Sequence, residues 1–298
     1  MGTDDARDQR DERRERALRH ALLAWGSDEL RDLPWRQTRE PWRILVAEIM
    51  LQQTQVSRVA PLWTAFIERW PTPADCAAAP RSEILRAWKG LGYNRRAVAL
   101  HEAATRIADE HDGVVPSGLD ALLALPGVGP YTARAVRVFA FELDDAVVDV
   151  NAARVLARAV AGRSLTGREV QRLADEQLPS GDAWLWNQSV LELGATLCRK
   201  RVAQCAVCPV APHCAWHGEG PDPAAGSAGT GGRQSRFEGS DRQGRGRLLD
   251  ALRVDDLPAV DADAVTGWAD HDRTARIVDG LVADGLVVRD GSQLTLPA

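Results

Sequence analysis

The stretch CRKRVAQCAVCPVAPHC, residues 198–214, carries four of the chain's five cysteines. Cys198, Cys205, Cys208 and Cys214 follow the spacing C-x6-C-x2-C-x5-C. Four thiolates this close restrict the backbone to a compact loop, and they suit either tetrahedral zinc or an iron–sulfur cluster. Zinc ribbons pair two C-x2-C knuckles, and this loop has only one; His213 and His217 leave a mixed zinc site open. A loop built on one C-x2-C pair suits a cluster held by four thiolates. The fifth cysteine, Cys76, stands alone in ADCAAAP and reads as an inert small hydrophobe.

Metal ranks above disulfide because the chain reads as cytoplasmic. Its opening, MGTDDARDQRDERRERALRH, alternates charge with no apolar signal core, and no apolar run approaches the ~20 residues a bilayer needs. The 298 residues allow one large domain and a small one. A formal net charge of −5 does not advertise nucleic-acid binding, but phosphate contacts depend on local clusters rather than on the average. Lys89 and Lys200 are the only lysines, so arginine carries the positive charge.

Residues 1–16 are a charged, apolar-poor lead, expected to be flexible or loosely helical. From residue 17 to about 217 the pattern predicts an all-α domain. One helix is expected over 41–60, with no internal breaker, and others near 81–88, 95–111, 118–124, 130–141, 152–161, 167–178 and 183–198. Residues 218–245 read as a linker, Gly/Pro/Ala-rich and then arginine-rich. The tail, 246–298, holds three helical stretches and a hairpin signal in LVVRDGSQLTL, which resembles a winged-helix module; a plain helical cap is the alternative.

Three further stretches bear chemistry. In LDALLALPGVGPYTARAV, residues 119–136, Gly127 and Gly129 permit a sharp turn and close approach of a ligand. The helix opened by Pro130 offers free N–H groups that suit a phosphate, with a plain helical hairpin as the alternative. Glu48 shares a helix face with Ile44, Leu45 and Leu51, where burial disfavours the ionised form and makes a general acid; an ion pair with Arg36 or Arg43 is the alternative. Asp149 and Asn151, between the apolar run AVVDV and a helix, suit either catalysis or a simple N-cap.

Together, the helix–Gly-Val-Gly–helix turn, the aspartate about twenty residues on and the cysteine spacing resemble the endonuclease III superfamily of DNA glycosylases. Within it LPWR, EIMLQQTQV, GLGY, LPGVGPYTARAV and VVDVNAARVLAR, in that order over residues 17–217, are similar to the adenine DNA glycosylases of the MutY family. The short tail resembles the actinobacterial type. The resemblance implies a helix-hairpin-helix glycosylase fold and a structural 4Fe–4S cluster on the four cysteines. It also implies a monomeric, monofunctional enzyme of base-excision repair, nucleoid-associated when bound to double-stranded DNA. Its substrate would be adenine opposite 8-oxoguanine or guanine. Glu48 would protonate adenine, Asp149 would stay ionised against the oxocarbenium-like sugar, and Tyr131 and Asn151 would support the sugar side. Trp35, Arg36 and Gln188 would line the pocket for the flipped base. Gln53 and Tyr93 would wedge into the stack, beside Gln52 and Thr54. Gly127 and Gly129 would grip DNA, with Arg199, Lys200 and Arg201 meeting phosphates.

Bifunctional relatives place a lysine where Tyr131 stands, and a phenol forms no Schiff base. A thymine–guanine mismatch glycosylase also carries tyrosine there and is the second reading; a non-catalytic DNA-binding regulator acting through the tail is the third. Many family members end in a NUDIX-like domain that reads 8-oxoguanine, and the roughly fifty residues after this linker are too few for that fold.

Overall fold

A computed structural model describes residues 3–229, 236–268 and 270–298. Its helices, in chain order, are α1 (Thr3–Glu29), α2 (Pro41–Leu51), α3 (Val56–Arg69), α4 (Pro73–Ala78), α5 (Arg81–Ala87), α6 (Arg95–Glu110) and α7 (Leu119–Leu123). They continue with α8 (Pro130–Phe141), α9 (Val150–Val155), α10 (Gly167–Gln177), α11 (Ala183–Thr196), α12 (Asp241–Leu252), α13 (Ala262–Thr266) and α14 (His271–Ala283). Three short strands, β1 (Leu257–Pro258), β2 (Val288–Asp290) and β3 (Gln293–Thr295), form an antiparallel sheet in the order β1-β3-β2. The chain forms two compact units, residues 1–39 with 133–233 and residues 40–132 with 234–298.

In the first unit α1 packs on α11 and α11 on α9. Leu18 and Leu22 of α1, one turn apart, meet the Trp186, Val190 and Leu193 stripe of α11 in one buried cluster. Each such leucine contributes ~1.5–3 kcal/mol by leaving water. The expected flexible lead is helical from Thr3. A physical reason lies in Arg14, whose guanidinium donates to the carbonyls of Ala159 (3.2 Å), Val160 (2.9 Å) and His213 (3.1 Å). The first two end a π-helical turn, Leu156–Ala161, where carbonyls lack helical partners. The expected linker begins as ordered chain: Pro223–Gly226 forms a 3-10 turn with Ala224 buried, and Ser227 Oγ accepts from Leu165 N at 3.0 Å. Residues 230–235 of that linker lie outside the described residues.

In the second unit Trp42, Phe66 and Trp88 centre the core, with Phe66 edge-on to Trp88 at 6.4 Å between centroids. The indole N–H of Trp42 donates to Trp70 O at 3.0 Å, so the ring is buried at no polar cost. The helix expected over 41–60 is two helices. α2 is capped by Glu40 and opened by Pro41, and it stops at Leu51; α3 begins at Val56 after Gln53 takes a left-handed backbone, φ 56°. No glycine or proline announces that break. In the tail, Leu248, Leu249 and Leu252 of α12, Ile277, Val278 and Leu281 of α14 and Leu294 of β3 are buried. The expected hairpin is β2–β3, turning at Gly291 (φ 57°), and β1 adds a strand the sequence did not suggest. α12 starts at Asp241, within the segment read as linker. The tail is moored within this unit by Arg253, which donates to Leu85 O (2.9 Å) and Asn94 Oδ1 (2.7 Å).

Candidate active site and cysteine loop

In the first unit Arg36 sits in the 3-10 turn Pro34–Gln37 beside buried Trp35. Its Nε donates to Gln188 Oε1 and its Nη2 to Glu192 Oε2, both at 2.8 Å. Arg36 and Gln188 are therefore in contact, with Trp35 next to Arg36 in the same turn. Two members were missed. Glu192, 1% exposed, lies one helical turn beyond Gln188, and Arg31 donates to both of its oxygens. Burial would push the Glu192 carboxyl up, but hydrogen bonds and charge from Arg31 and Arg36 outweigh it and hold it below the usual range. An acidic residue one turn from Gln188 was the available signal.

Asp149 is the N-cap of α9, and the N-cap alternative is geometrically true. Its Oδ1 accepts from Asn151 N (2.7 Å) and Ala152 N (2.8 Å), and its Oδ2 from Asn151 Nδ2 (2.8 Å). Burial pushes this carboxyl up from 3.8; the three N–H donors and the Arg154 charge pull it back without cancelling the rise. The amide of Asn151 is fixed from its other end, since Arg154 Nη2 donates to Asn151 Oδ1 at 2.7 Å. Only glycine fits behind it: a Cβ on Gly194 would lie 2.7 Å from Asn151 Cβ.

Arg154 and Arg158, one turn apart and both buried, continue to the cysteine loop. Arg154 donates to Cys198 O at 2.7 Å and Gly194 O at 2.7 Å. Arg158 donates to Arg199 O (3.0 Å), Lys200 O (3.3 Å) and Cys198 Sγ (3.5 Å), and is neutralised by Asp222 at 2.8 and 2.6 Å. Two of the three carbonyls of the basic triplet, those of Arg199 and Lys200, are thus held by Arg158, and Arg199, Lys200 and Arg201 are exposed.

Cys198, Cys205, Cys208 and Cys214 line one small, mostly apolar cavity with Leu193, Leu197 and Val210. Their thiols are free of disulfides. Among the described residues no three His, Cys, Asp or Glu side chains converge on one ion-sized point. The donor set fits a group bound through sulfur: Arg158 points at Cys198 Sγ, His217 N at Cys214 Sγ (3.4 Å), and a Cβ on Gly218 would crowd Cys205 Sγ at 3.0 Å. Burial pushes the Cys208 thiol up to about 11, so binding a group through thiolates would release protons here. Cys76 is elsewhere, fully buried, its thiol pushed by burial up to about 12, which makes it inert.

In the second unit Glu48 is 5% exposed among the buried Ile44, Leu45, Val46, Ala47, Ile49 and Met50 of α2. Of the arginines offered as its partners, Arg36 donates to Gln188 and Glu192, and Arg43 lies 4.0 Å from Glu40. Gln52, expected beside the wedge, turns inward: Nε2 donates to Gly127 O (3.3 Å) and Thr132 Oγ1 (3.2 Å), tying the end of α2 to the glycine turn. Thr54 Oγ1 donates to Leu91 O at 3.2 Å. Arg96, which the sequence reading missed, collects the carbonyls of Ile49 (2.8 Å), Met50 (2.9 Å), Leu91 (3.1 Å) and Gly92 (3.0 Å) and Thr54 Oγ1 (3.0 Å). It clamps two loops together, one tipped by Gln53 and one by Tyr93. Both tips are left-handed, φ 56° and 47°, a conformation that side chains other than glycine rarely adopt. Both are exposed, Tyr93 by 41%. Two exposed tips in an uncommon backbone conformation are thus held by one half-buried arginine.

Gly127 has φ 76°, and a Cβ there would strike Ala99 at 2.8 Å. At Gly129 nothing lies within 4 Å of a built Cβ, so the protein itself does not demand glycine there. Tyr131 is half-buried in the first turn of α8.

A helical hairpin turn followed by a capped aspartate, with a four-cysteine loop closing the unit, defines a class. Residues 46–180 match the HhH-GPD superfamily of base excision DNA repair proteins. The chain is similar to a thermostable thymine-DNA glycosylase, at TM-score 0.64 and 30% identity over 70% of this chain and 98% of that one. It is also similar to endonuclease III trapped on DNA, at TM-score 0.58 and 25% identity over 67% and 95%. The adenine DNA glycosylase of Mycolicibacterium smegmatis is 47% identical over 89% of this chain and 91% of its own. The chain belongs to the adenine DNA glycosylase family. Among the described residues no helix is long and apolar enough to cross a membrane.

Proposed function

We propose that the protein is a monofunctional adenine DNA glycosylase, excising adenine opposite 8-oxoguanine or guanine from double-stranded DNA. The observation that carries this reading is two carboxylates in contrasting settings. Glu48 is buried on an apolar helix, and Asp149 accepts three N–H donors. Glu48 holds the proton that adenine N7 takes as the glycosidic bond lengthens, so the base leaves neutral. Asp149, ionised and fixed by Asn151, faces the positive charge that develops on the sugar. Asn151 and Tyr131 orient the sugar side and the incoming water. Trp35, Arg36 and Gln188 receive the extrahelical base, an arrangement Glu192 and Arg31 keep rigid. Gln53 and Tyr93 fill the space the base vacates, while Gly127 and Gly129 take a phosphate and Arg199, Lys200 and Arg201 add others.

Cys198, Cys205, Cys208 and Cys214 would hold a 4Fe–4S cluster, which when bound cross-links the loop carrying that basic triplet. The enzyme acts as a monomer in the cytoplasm, on the nucleoid, and its tail is a winged-helix-like module. The likeness to a thymine-DNA glycosylase structure favours thymine opposite guanine as a second reading. One assay separates them: duplexes with A opposite 8-oxoguanine, A opposite G and T opposite G, read for free base and for strand integrity. Adenine release with the strand intact is expected; thymine release, or strand scission together with a protein–DNA adduct formed on borohydride reduction of an imine, contradicts the proposal.

A further inference from the structure

Within the second unit, the loops tipped by Gln53 and Tyr93 form one wall of a cleft of about 900 Å³, and α12 with the residues before it forms the other. That volume is at the upper end of the ~300–1,000 Å³ typical of ligand sites. Its lining includes six arginines against two aspartates, on a chain whose net charge is −5. A local excess of this sign in a concave wall focuses an anion. One aromatic ring is exposed from each wall, Tyr93 by 41% and Phe237 by 57%.

The arginines differ in what they already do. Arg96 and Arg253 are structural clamps, and Arg95 and Arg245 both reach Asp284, the former at 3.4 Å. Arg58 lines the same cleft, as does Arg242, whose Nη2 also lies 3.5 Å from Arg236 O, and both carry positive charge to it. The helix α14 is different: Arg273 is paired with Asp241 at 2.7 Å, and Asp279 with Arg289 of the hairpin at 3.1 Å. Its own sequence, HDRTARIVDGLVA, balances two arginines with two aspartates. One ion pair, Asp279–Arg289, joins α14 to the hairpin, and Arg273 is taken up by Asp241, so part of the charge of α14 is already satisfied within the tail.

We infer that the tail meets DNA through α12 instead, and that the cleft takes an unstacked nucleotide and its flanking phosphates from the strand facing the excised base. This rests on the proposal that Gln53 and Tyr93 enter the duplex. Extracting one base leaves its opposite nucleotide without a partner, and an exposed aromatic ring in a basic cleft is the chemistry that captures such a nucleotide.

The test is a binding comparison with the full chain. One duplex carries 2′-fluoroadenosine opposite guanine, which resists excision, and the other is fully paired; each is titrated at two salt concentrations. Phe237→Ala should weaken binding to the mismatched duplex about tenfold and leave the paired duplex within twofold, because stacking needs an unstacked base. Phe237→Trp should restore it. Arg242→Ala should make the slope of log affinity against log salt shallower by about one. Arg276→Ala, at an exposed position of α14, should change neither. Unchanged binding by Phe237→Ala overturns the inference, as does an equal loss on both duplexes, or a larger effect from Arg276→Ala than from Arg242→Ala. The wild-type chain is assayed in parallel on the same mismatch without fluorine. Failure to release adenine there defeats the glycosylase proposal, while the binding comparison still decides the cleft.

Discussion

Two side chains carry sharp expectations at the scale of single residues. Glu48→Gln keeps the shape of a buried side chain and removes its proton, so single-turnover excision should fall by ~10²–10⁴-fold with DNA affinity unchanged. Activity within tenfold of wild type would remove Glu48 from the chemistry. Asp149 sets a pH expectation. Burial raises its pKa above 3.8, so it surrenders its proton later as the pH climbs. Excision should therefore rise with pH along an acidic limb placed above 3.8. Stability runs the opposite way in that window, because the native state keeps a proton that the unfolded chain has already lost. A limb at or below the ordinary aspartate value would show that another group is being titrated. Glu48, Asp149 and Asn151 were legible because a motif carries them. Glu192, Arg96, Arg154 and Arg158 were not: their partners lie far along the chain or are backbone carbonyls, and nothing local marks a helical arginine as turned inward.

At the scale of elements, the helices were readable from period and punctuation, and the errors fell where tertiary contacts override both. α2 and α3 were read as one helix because Gln52–Gln53–Thr54–Gln55 lacks a breaker, whereas the turn is made by Thr54 and Arg96 holding Gln53 in a left-handed conformation. The cysteine loop shows the converse, since its spacing told of a binding loop but not of the two arginines beneath it. Cys205→Ser should reduce iron per chain, bleach the visible absorbance of the purified protein and lower soluble yield, since one of four thiolates is lost. A colourless wild-type protein prepared without oxygen and carrying one zinc per chain would instead support the mixed-zinc alternative. Full visible absorbance in Cys205→Ser would take Cys205 out of the ligand set.

At the scale of the whole molecule, the sequence suggested domains laid end to end, while each compact unit is assembled from two separated segments. Truncation exposes the difference. A chain ending at Gly218 loses Asp222, the counter-charge of Arg158, whose side chain is 3% exposed. Breaking such a pair should cost ~3 kcal/mol, the low end for buried ions because Asp222 keeps some solvent. A chain ending at Gly229 retains the pair and should melt higher than the shorter one. Equal melting temperatures would mean that Asp222 does not stabilise the loop. Both cuts remove Arg253 and the tail's buried leucines, so both should melt below the full chain.

The same discontinuity bears on how the protein is made. Arg31 meets Glu192 across 161 residues, and Arg14 meets His213 across 199. A ribosome adding ~5–20 residues per second leaves α1 exposed for on the order of ten seconds or more before its partner helix emerges. Contacts of such separation fold slowly, because the loop entropy must be overcome before any contact is gained. The mixed charges of Asp11, Glu12, Arg13, Arg14, Glu15 and Arg16, among them the Arg14 clamp of the finished structure, would then also serve before that structure forms. They keep the first helix soluble while Leu18 and Leu22 wait for a surface to cover them.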